Sequence, residues 1–187
     1  MKKRARKAGP ISWLRSPVPK SFASDVRQLH KESVQRLGYV RNFLKLPFGP
    51  GRLALYQRFL DRLMRSDDCF LPGIERELLA LVVSVENRCE PCVNAHSAAL
   101  RKHGMDGVKV DEIMISWRRA GLAPRHRALA DFAWKLTVRP AEADETWIGA
   151  LRAAGLSEKQ IFEAAQIVAI YNSNNRINNV IGLHLDR

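Results

Sequence analysis

The sequence predicts an all-α fold, a single-domain helical bundle of about seven or eight helices. Apolar residues recur at intervals of three and four along most of the chain, which is the spacing of one helix face. Glycine and proline stand at the ends of these segments, where helices stop and start. No segment alternates apolar and polar residues between turn dipeptides, so strands are not expected. The 187 residues, 46% of them apolar, suffice to bury the core of one domain.

Four helices are predicted in the first half of the chain. The segment from Ser21 to Leu37 carries its apolar residues on one face and stops at Gly38. The segment from Arg52 to Arg65 has the same spacing. Between Leu78 and Val85 nearly every residue is apolar, which predicts a buried helix. The fourth helix begins at Pro91, a residue suited to a first helical position, and ends at Gly104.

Each of the four predicted helices in the second half has a start or stop signal. Ser157 and Gln160 have the spacing of a capping box, in which each side chain bonds the backbone of the other residue, and they open the longest helix. Glycine or proline marks the ends of the others. The predicted limits are 110–119, 124–140, 141–154 and 157–182.

The net charge of +12 is concentrated at one end of the chain. Residues 1–65 hold 16 Lys/Arg and 3 Asp/Glu, a net of +13, while residues 66–187 hold 15 and 16, a net of −1. Such asymmetry suits a surface that attracts nucleic acid, anionic lipid or an acidic protein. No recognisable nucleic-acid module accompanies the charge, so solvated basic helix faces are the favoured interpretation and nucleic-acid binding is not expected.

The first 20 residues are predicted to form a basic, flexible N-terminal arm, followed by one all-α domain over residues 21–187. The basic stretch from Lys2 to Lys7 is not followed by the apolar region of a signal peptide. No stretch has the roughly 18 apolar residues of a membrane span, so no membrane association is expected. Three cysteines do not make a disulfide framework, and they suit a reducing cytoplasm with a reactive pair and one spare thiol.

The candidate chemistry lies in the segment from Glu75 to Gly104. It contains Cys89 and Cys92 in a Cys-x-x-Cys arrangement, with His96 four residues further on. A thiol becomes nucleophilic when it loses its proton, and a helix N-terminus, a nearby imidazole or a second cysteine each promote that loss. The pattern therefore indicates a redox-active dithiol.

The predicted helices place these groups relative to one another. With the fourth helix starting at Pro91, Cys89 comes just before the helix and Cys92 lies in its first turn. His96 lies one turn later, on the same face as Cys92. If the third and fourth helices form a hairpin, the carboxylate of Glu77 approaches His96. The resulting hypothesis is a proton relay from Glu77 through His96 to Cys92.

A zinc site is the main alternative for the same residues. Structural zinc takes four protein ligands, whereas Cys89, Cys92 and His96 supply three and His103 is the only close fourth. Glu77 has no part in such a site, so a redox dithiol is favoured and no metal is expected. An inert buried pair is the remaining interpretation. Cys69 is interpreted as a small packed hydrophobe rather than a reactive thiol.

A polar stripe on the last helix also needs explanation. Asn172, Asn175 and Asn179 recur at intervals of three and four, although asparagine is a poor helix former. We expect them to satisfy buried polar groups, in a hydrogen-bond network or a subunit interface, rather than to act in catalysis.

The spacing Glu77-x11-Cys89-x2-Cys92-x3-His96 resembles the active-site motif of the alkylhydroperoxidase D-like enzymes in the carboxymuconolactone decarboxylase superfamily. The rest of the chain, over residues 11–185, resembles more specifically the "peroxidase-related" branch. The further matching segments are Ile11-Ser12-Trp13-Leu14, Leu55-Tyr56, residues 127–137, residues 151–157 and Asn172-x-x-Asn175-Arg176.

The resemblance implies an antioxidant thiol peroxidase that reduces alkyl hydroperoxides without a bound cofactor. Cys92 would be the attacking thiolate, Cys89 the resolving thiol, and Glu77 and His96 the proton relay. A dithiol or lipoylated protein would be the reductant. The resemblance also implies a homo-oligomer, either a dimer, a trimer or a hexamer. Pro91 departs from the family pattern, which carries tyrosine or histidine before the second cysteine.

Two other functions remain open from the sequence. One is a protein or lipoamide disulfide reductase with little direct peroxidase activity, which the absence of a relay group at Pro91 favours. The other is a non-enzymatic redox-sensing or basic binding protein, in which oxidation of the dithiol changes a contact with a partner.

Overall fold

The computed structural model describes residues 10–15, 21–46 and 49–186, and this part of the chain contains eight α-helices and no strand. Short 3₁₀ turns cover Asn42–Lys45, Trp117–Arg119 and Pro140–Glu142. The predicted all-α class is confirmed. The helices are α1 (Ser24–Leu37), α2 (Pro50–Arg65), α3 (Gly73–Glu86), α4 (Glu90–Lys102), α5 (Gly107–Ser116), α6 (Pro124–Val138), α7 (Glu145–Ala153) and α8 (Glu158–Val180).

Helix α3 forms the centre of the main hydrophobic core. All six residues from Leu78 to Val83 are fully buried, because α4, α6 and α8 pack around the helix. A helix that is apolar on every side is stable only when other elements cover it completely. The apolar run seen in the sequence therefore positions α3 as the element on which the rest of the bundle is built.

A second, smaller core joins the two ends of the described chain. Buried residues of α1, the first 3₁₀ turn and α2 pack there with Leu183, which follows α8. Trp13 donates its backbone N–H to the carbonyl of Ile181, and His184 donates its N–H to the carbonyl of Ile11, both at 2.9 Å. Residues 10–15 are thus held against the end of α8, whereas residues 1–9 and 16–20 of the predicted flexible arm lie outside the described residues.

Gly182 allows this contact between the chain ends. Its φ of +57° lies in the left-handed region, and a Cβ at this position would overlap the ring of Trp13. Glycine adopts this conformation without steric cost and leaves room for the indole. Trp13 itself remains 72% exposed on its other side.

Some helix limits differ from the predicted ones. Helix α1 begins at Ser24, three residues after the predicted start. Helix α7 begins at Glu145, because the carboxylate of Asp144 accepts a hydrogen bond from the N–H of Thr146 at 2.9 Å and caps the helix there. The predicted capping box of Ser157 and Gln160 is confirmed at the start of α8.

Candidate active site

The turn between α3 and α4 fixes the position of the two cysteines. Asn87 ends α3, and Arg88 adopts a left-handed φ of +52°, which is rare for residues other than glycine. The chain then reverses, and Cys89 donates its N–H to the carbonyl of Ser84 at 3.0 Å. Cys89 is the N-cap of α4, and Cys92 lies in the first turn of that helix. The predicted helical hairpin and the placement of the dithiol at a helix N-terminus are confirmed.

The two cysteine sulfurs are bonded to each other. The Cα atoms of Cys89 and Cys92 are 5.3 Å apart, within the usual range for a disulfide. Cys89 is fully buried, whereas Cys92 has 4% of its surface exposed. The backbone therefore holds the pair at disulfide-forming distance, and Cys92 is the more exposed of the two residues.

Glu77 and His96 meet about one helical turn after Cys92 along α4. His96 Nδ1 lies 2.7 Å from Glu77 Oε2, and both side chains are buried. Burial alone raises the pKa of the Glu77 carboxyl, but the hydrogen bond and charge of His96 outweigh this effect and hold the pKa below its ordinary value. Glu77 is therefore a carboxylate, which accepts the hydrogen bond from His96 Nδ1 and orients the imidazole.

The ring of Tyr171 on α8 packs against the ring of His96. The two rings meet edge to face, with centroids 4.5 Å apart. Burial raises the pKa of the Tyr171 hydroxyl, and the nearby charge of Glu77 raises it further. The phenol therefore stays neutral, and its ring fixes the plane of the imidazole.

Glu75, the other acid at the start of α3, has a different partner. Arg125 of α6 donates to its two carboxylate oxygens, from Nε at 2.7 Å and from Nη2 at 3.0 Å. Arg125 also donates to the carbonyl of Gly155. Arg125 thus links Glu75 of α3 to α6 and to the residues that follow α7. The structure separates two acids that the sequence alone did not distinguish.

The asparagines of α8 hold the α3–α4 turn. Asn179 Nδ2 donates to the carbonyl of Asn87 at 2.8 Å, and Asn87 Nδ2 donates to Asn172 Oδ1 at 2.9 Å. The side chains of Asn175 and Ser84 lie 3.4 Å apart and are both buried. The predicted role of this stripe in a structural hydrogen-bond network is confirmed by these contacts.

One residue that contacts the cysteine pair was not predicted from the sequence. Asn178 Nδ2 donates to Cys92 Sγ at 3.3 Å, from a helix that lies 86 residues later in the chain. Asn178 belongs to the same polar stretch of α8 as the predicted stripe, but nothing in its spacing distinguishes it from its neighbours. Only the packing of α8 against α4 reveals that this side chain contacts a cysteine.

Two cavities on the described part of the surface lie away from the dithiol. A cavity of about 350 Å³ lies between α6 and α7, lined by residues that include Arg127 and Trp147, and a second of about 400 Å³ lies beside α1. Neither is lined by Cys92 or His96.

Two alternative interpretations of the cysteines are addressed by the structure. In the described part of the chain, no cluster of three or more His, Cys, Asp or Glu side chains has the arrangement of a metal site. Cys69 is a free cysteine whose thiol packs against the carbonyl of Leu63 at 3.3 Å, and burial raises its pKa. Cys69 is therefore less reactive than an ordinary thiol.

Comparison with known proteins indicates the family of the chain. The model of the carboxymuconolactone decarboxylase family matches residues 50–135. A crystal structure from Ralstonia eutropha JMP134, described as an alkylhydroperoxidase AhpD core and an uncharacterized peroxidase-related protein, is 34% identical and has a TM-score of 0.88. That match covers 96% of this chain and 94% of the other. The chain belongs to the AhpD-like carboxymuconolactone decarboxylase superfamily.

Other solved structures have the same fold. An uncharacterized peroxidase-related protein from Silicibacter sp. TM1040 is 27% identical, with a TM-score of 0.88 and coverage of 97% of this chain and 95% of that chain. The debrominase Bmp8 is 20% identical, with a TM-score of 0.75 and coverage of 91% and 90%, and it shares the fold. A search of curated proteins finds no match. No helix in the described ranges is both long and apolar enough to cross a membrane.

Proposed function

We propose that this AhpD-like protein is a thiol-dependent peroxidase that reduces alkyl hydroperoxides with the Cys89–Cys92 pair. The observation that carries the proposal is the bonded cysteine pair at the start of α4, with the hydrogen-bonded His96 and Glu77 about one helical turn further along the helix. A structural disulfide alone would not need a buried carboxylate and imidazole beside it. Both are groups that withdraw and return a thiol proton.

The reaction begins with the reduced pair. His96, oriented by Glu77, accepts the proton of the Cys92 thiol, and the thiolate attacks the terminal oxygen of the hydroperoxide. The O–O bond breaks, Cys92 becomes a sulfenic acid, and the leaving alkoxide takes the proton from His96 to form an alcohol. The Cys89 thiol then displaces water from the sulfenic acid, which forms the disulfide.

A dithiol donor returns the protein to its reduced state. Exchange with a small dithiol or a lipoylated protein forms a mixed disulfide and then releases both cysteines as thiols. The greater exposure of Cys92 favours attack on that sulfur. Such a cycle suits the reducing cytoplasm and needs no bound cofactor. We expect the protein to work as a homo-oligomer, as the resemblance implies.

Pro91 supports a second candidate function. It occupies the position before Cys92, where the family pattern carries a further side chain that can exchange protons. Without that group, proton delivery to the leaving alkoxide rests on His96 alone, whereas thiol–disulfide exchange does not require it. The alternative is therefore a protein or lipoamide disulfide reductase. It predicts faster turnover of a lipoamide-type disulfide than of an alkyl peroxide.

The deciding experiment follows the consumption of an alkyl hydroperoxide with several dithiol donors. With a donor, wild type should turn over and Cys92→Ser should be inactive. Without a donor, Cys89→Ser should consume about one equivalent of hydroperoxide and stop at the sulfenic acid. Cys69→Ala is the matched control and should retain activity. If wild type reduces lipoamide but not the peroxide, the disulfide reductase replaces the peroxidase. If Cys92→Ser remains active, both mechanisms are wrong.

A further inference from the structure

The amide group of Asn178 lies against Cys92 with one of its two ends unused. Nδ2 donates to Cys92 Sγ at 3.3 Å, and the residue is only 3% exposed. The other end, Oδ1, is buried and has no hydrogen-bond partner among the described residues. Buried side-chain oxygens without a partner are uncommon in proteins, and each calls for an explanation such as a bound water or ligand.

The orientation of the amide is fixed by the chemistry of its neighbour. A disulfide sulfur carries no hydrogen and can only accept a hydrogen bond, so the NH₂ end of Asn178 must face it. A thiolate at the same position is a stronger acceptor, because hydrogen bonds to a charged group are shorter and stronger. The contact observed in the oxidised protein therefore strengthens when Cys92 is reduced and ionised.

We propose that Asn178 is a catalytic residue of the dithiol site and that its amide bridges the Cys92 thiolate and the O–H of the hydroperoxide. The inference rests on the proposed function and adds the group that positions the substrate. The NH₂ end lowers the free energy of the thiolate, and the unpartnered Oδ1 accepts the hydrogen of the terminal peroxide oxygen. That oxygen is the one that the sulfur attacks.

The bridge is maintained through the chemical step. Cys92 Sγ bonds to the terminal oxygen, the O–O bond breaks, and the other oxygen leaves as an alkoxide that is protonated by His96. The hydrogen held by Asn178 Oδ1 stays on the transferred oxygen and becomes the hydrogen of the sulfenic acid. The same amide thus orients the sulfenic acid until Cys89 displaces its oxygen as water.

The first test measures the pKa of Cys92 in a Cys69→Ala, Cys89→Ser background, where it is the only thiol. The rate of reaction with methyl methanethiosulfonate is followed against pH. Asn178→Ala should raise the thiol pKa by about one unit, since a hydrogen bond to an ionised group is lost. Asn178→Asp, which has the same shape but brings a negative charge, should raise it further. An unchanged pKa in both variants would overturn the role of the NH₂ end.

The second test compares two reagents at a pH above the thiol pKa of every variant, where Cys92 is fully ionised. Hydrogen peroxide carries an O–H that Oδ1 can accept, whereas methyl methanethiosulfonate carries no donor. Asn178→Ala should slow the peroxide reaction about tenfold, the effect of losing one oriented hydrogen bond. The methyl methanethiosulfonate reaction should keep its rate or become slightly faster, because a less acidic thiol gives a more nucleophilic thiolate. Equal changes with both reagents would overturn the role of Oδ1.

Asn174→Ala is the matched control. Asn174 lies one turn earlier on α8, is also buried with an unpartnered Oδ1, and makes no hydrogen bond to either sulfur within the described residues. It should leave both the thiol pKa and the ratio of the two rates unchanged.

The tests also separate the Asn178 proposal from the proposed peroxidase function. If wild-type Cys92 reacts with hydrogen peroxide no faster than free cysteine does, the peroxidase function and the Oδ1 role both fail, while the pKa shift still decides the NH₂ role.

Discussion

Glu77 and His96 come from successive helices, yet His96 Nδ1 lies 2.7 Å from Glu77 Oε2 in a buried contact. The α3–α4 hairpin brings them together across 19 residues of sequence. The hydrogen bond engages Nδ1 of the imidazole, so only Nε2 remains for exchanging a proton with a thiol or an alkoxide. The contact thus defines which nitrogen of His96 takes part in the proposed reaction.

The first prediction concerns this contact. Glu77→Gln removes the carboxylate that accepts the hydrogen bond from His96 and orients the imidazole, so the reaction of Cys92 with peroxide at neutral pH should slow about a hundredfold. Stopped-flow measurement of sulfenic acid formation checks this expectation.

Glu75→Gln provides the matched control for Glu77→Gln. Glu75 pairs with Arg125 and not with His96, so its substitution should lower the free energy of unfolding by about 1–3 kcal/mol and leave the peroxide rate unchanged. A similar loss of rate in both variants would mean that the effect is structural, and the relay would be rejected.

The second prediction is a pH dependence of stability that arises from Glu77. The pKa of this carboxyl is lower in the folded protein than its ordinary value of 4.5. The stabilisation by the carboxylate is therefore complete above pH 4.5 and is lost as the pH falls through the folded pKa. Urea unfolding of wild type and Glu77→Gln between pH 6 and pH 3 should show a difference of about 1–2 kcal/mol that shrinks below about pH 4.5. A constant difference across this range would contradict the prediction.

The third prediction concerns Arg88, the residue before Cys89. Its φ of +52° costs a non-glycine residue about 1–2 kcal/mol, and its side chain is exposed. Arg88→Ala removes the side chain but keeps the backbone strain, whereas Arg88→Gly relieves it. Arg88→Gly should therefore be more stable than Arg88→Ala by about 1 kcal/mol. Thermal unfolding of the two variants measures the difference directly. Equal stabilities would indicate that the turn relaxes to another conformation.

The fourth prediction tests how α8 holds the turn. Asn179→Ala removes the hydrogen bond from Asn179 Nδ2 to the carbonyl of Asn87. Local opening of the turn should then become easier by about 1 kcal/mol, seen as faster amide hydrogen exchange at Cys89. Val180→Ala is the control, because Val180 is 77% exposed and should leave this exchange rate unchanged. Unchanged exchange in Asn179→Ala would show that the turn holds without α8.

The relative positions of the candidate site residues could be predicted from the sequence where those residues lie close together in the chain. Cys89, Cys92 and His96 lie on one helix and its N-cap, so their relative positions follow from helix geometry. Glu77 required the family resemblance, because Glu75 is equally suited to the start of α3. What separates the two acids is Arg125, which reaches Glu75 from another helix 50 residues away.

Contacts between helices that are distant in the chain could not be predicted from the sequence. The position of Asn178 against Cys92 depends on how α8 packs on α4, and a polar stripe by itself does not state which members face the core. The start of α7 was missed for a local reason, since the predicted segment ran through Pro140–Glu142, and Asp144 caps a shorter helix. In both cases the deciding contact is a side-chain hydrogen bond.

Helix α8 is a single rigid segment of 23 residues that contacts the α3–α4 turn, His96 and Cys92 through Asn179, Tyr171 and Asn178. Each added residue turns a helix by about 100°. One insertion or deletion between Tyr171 and Asn178 would therefore rotate one of these contacts away while preserving the other. The length of α8 between these two residues is therefore set by the positions of His96 and Cys92 on α4.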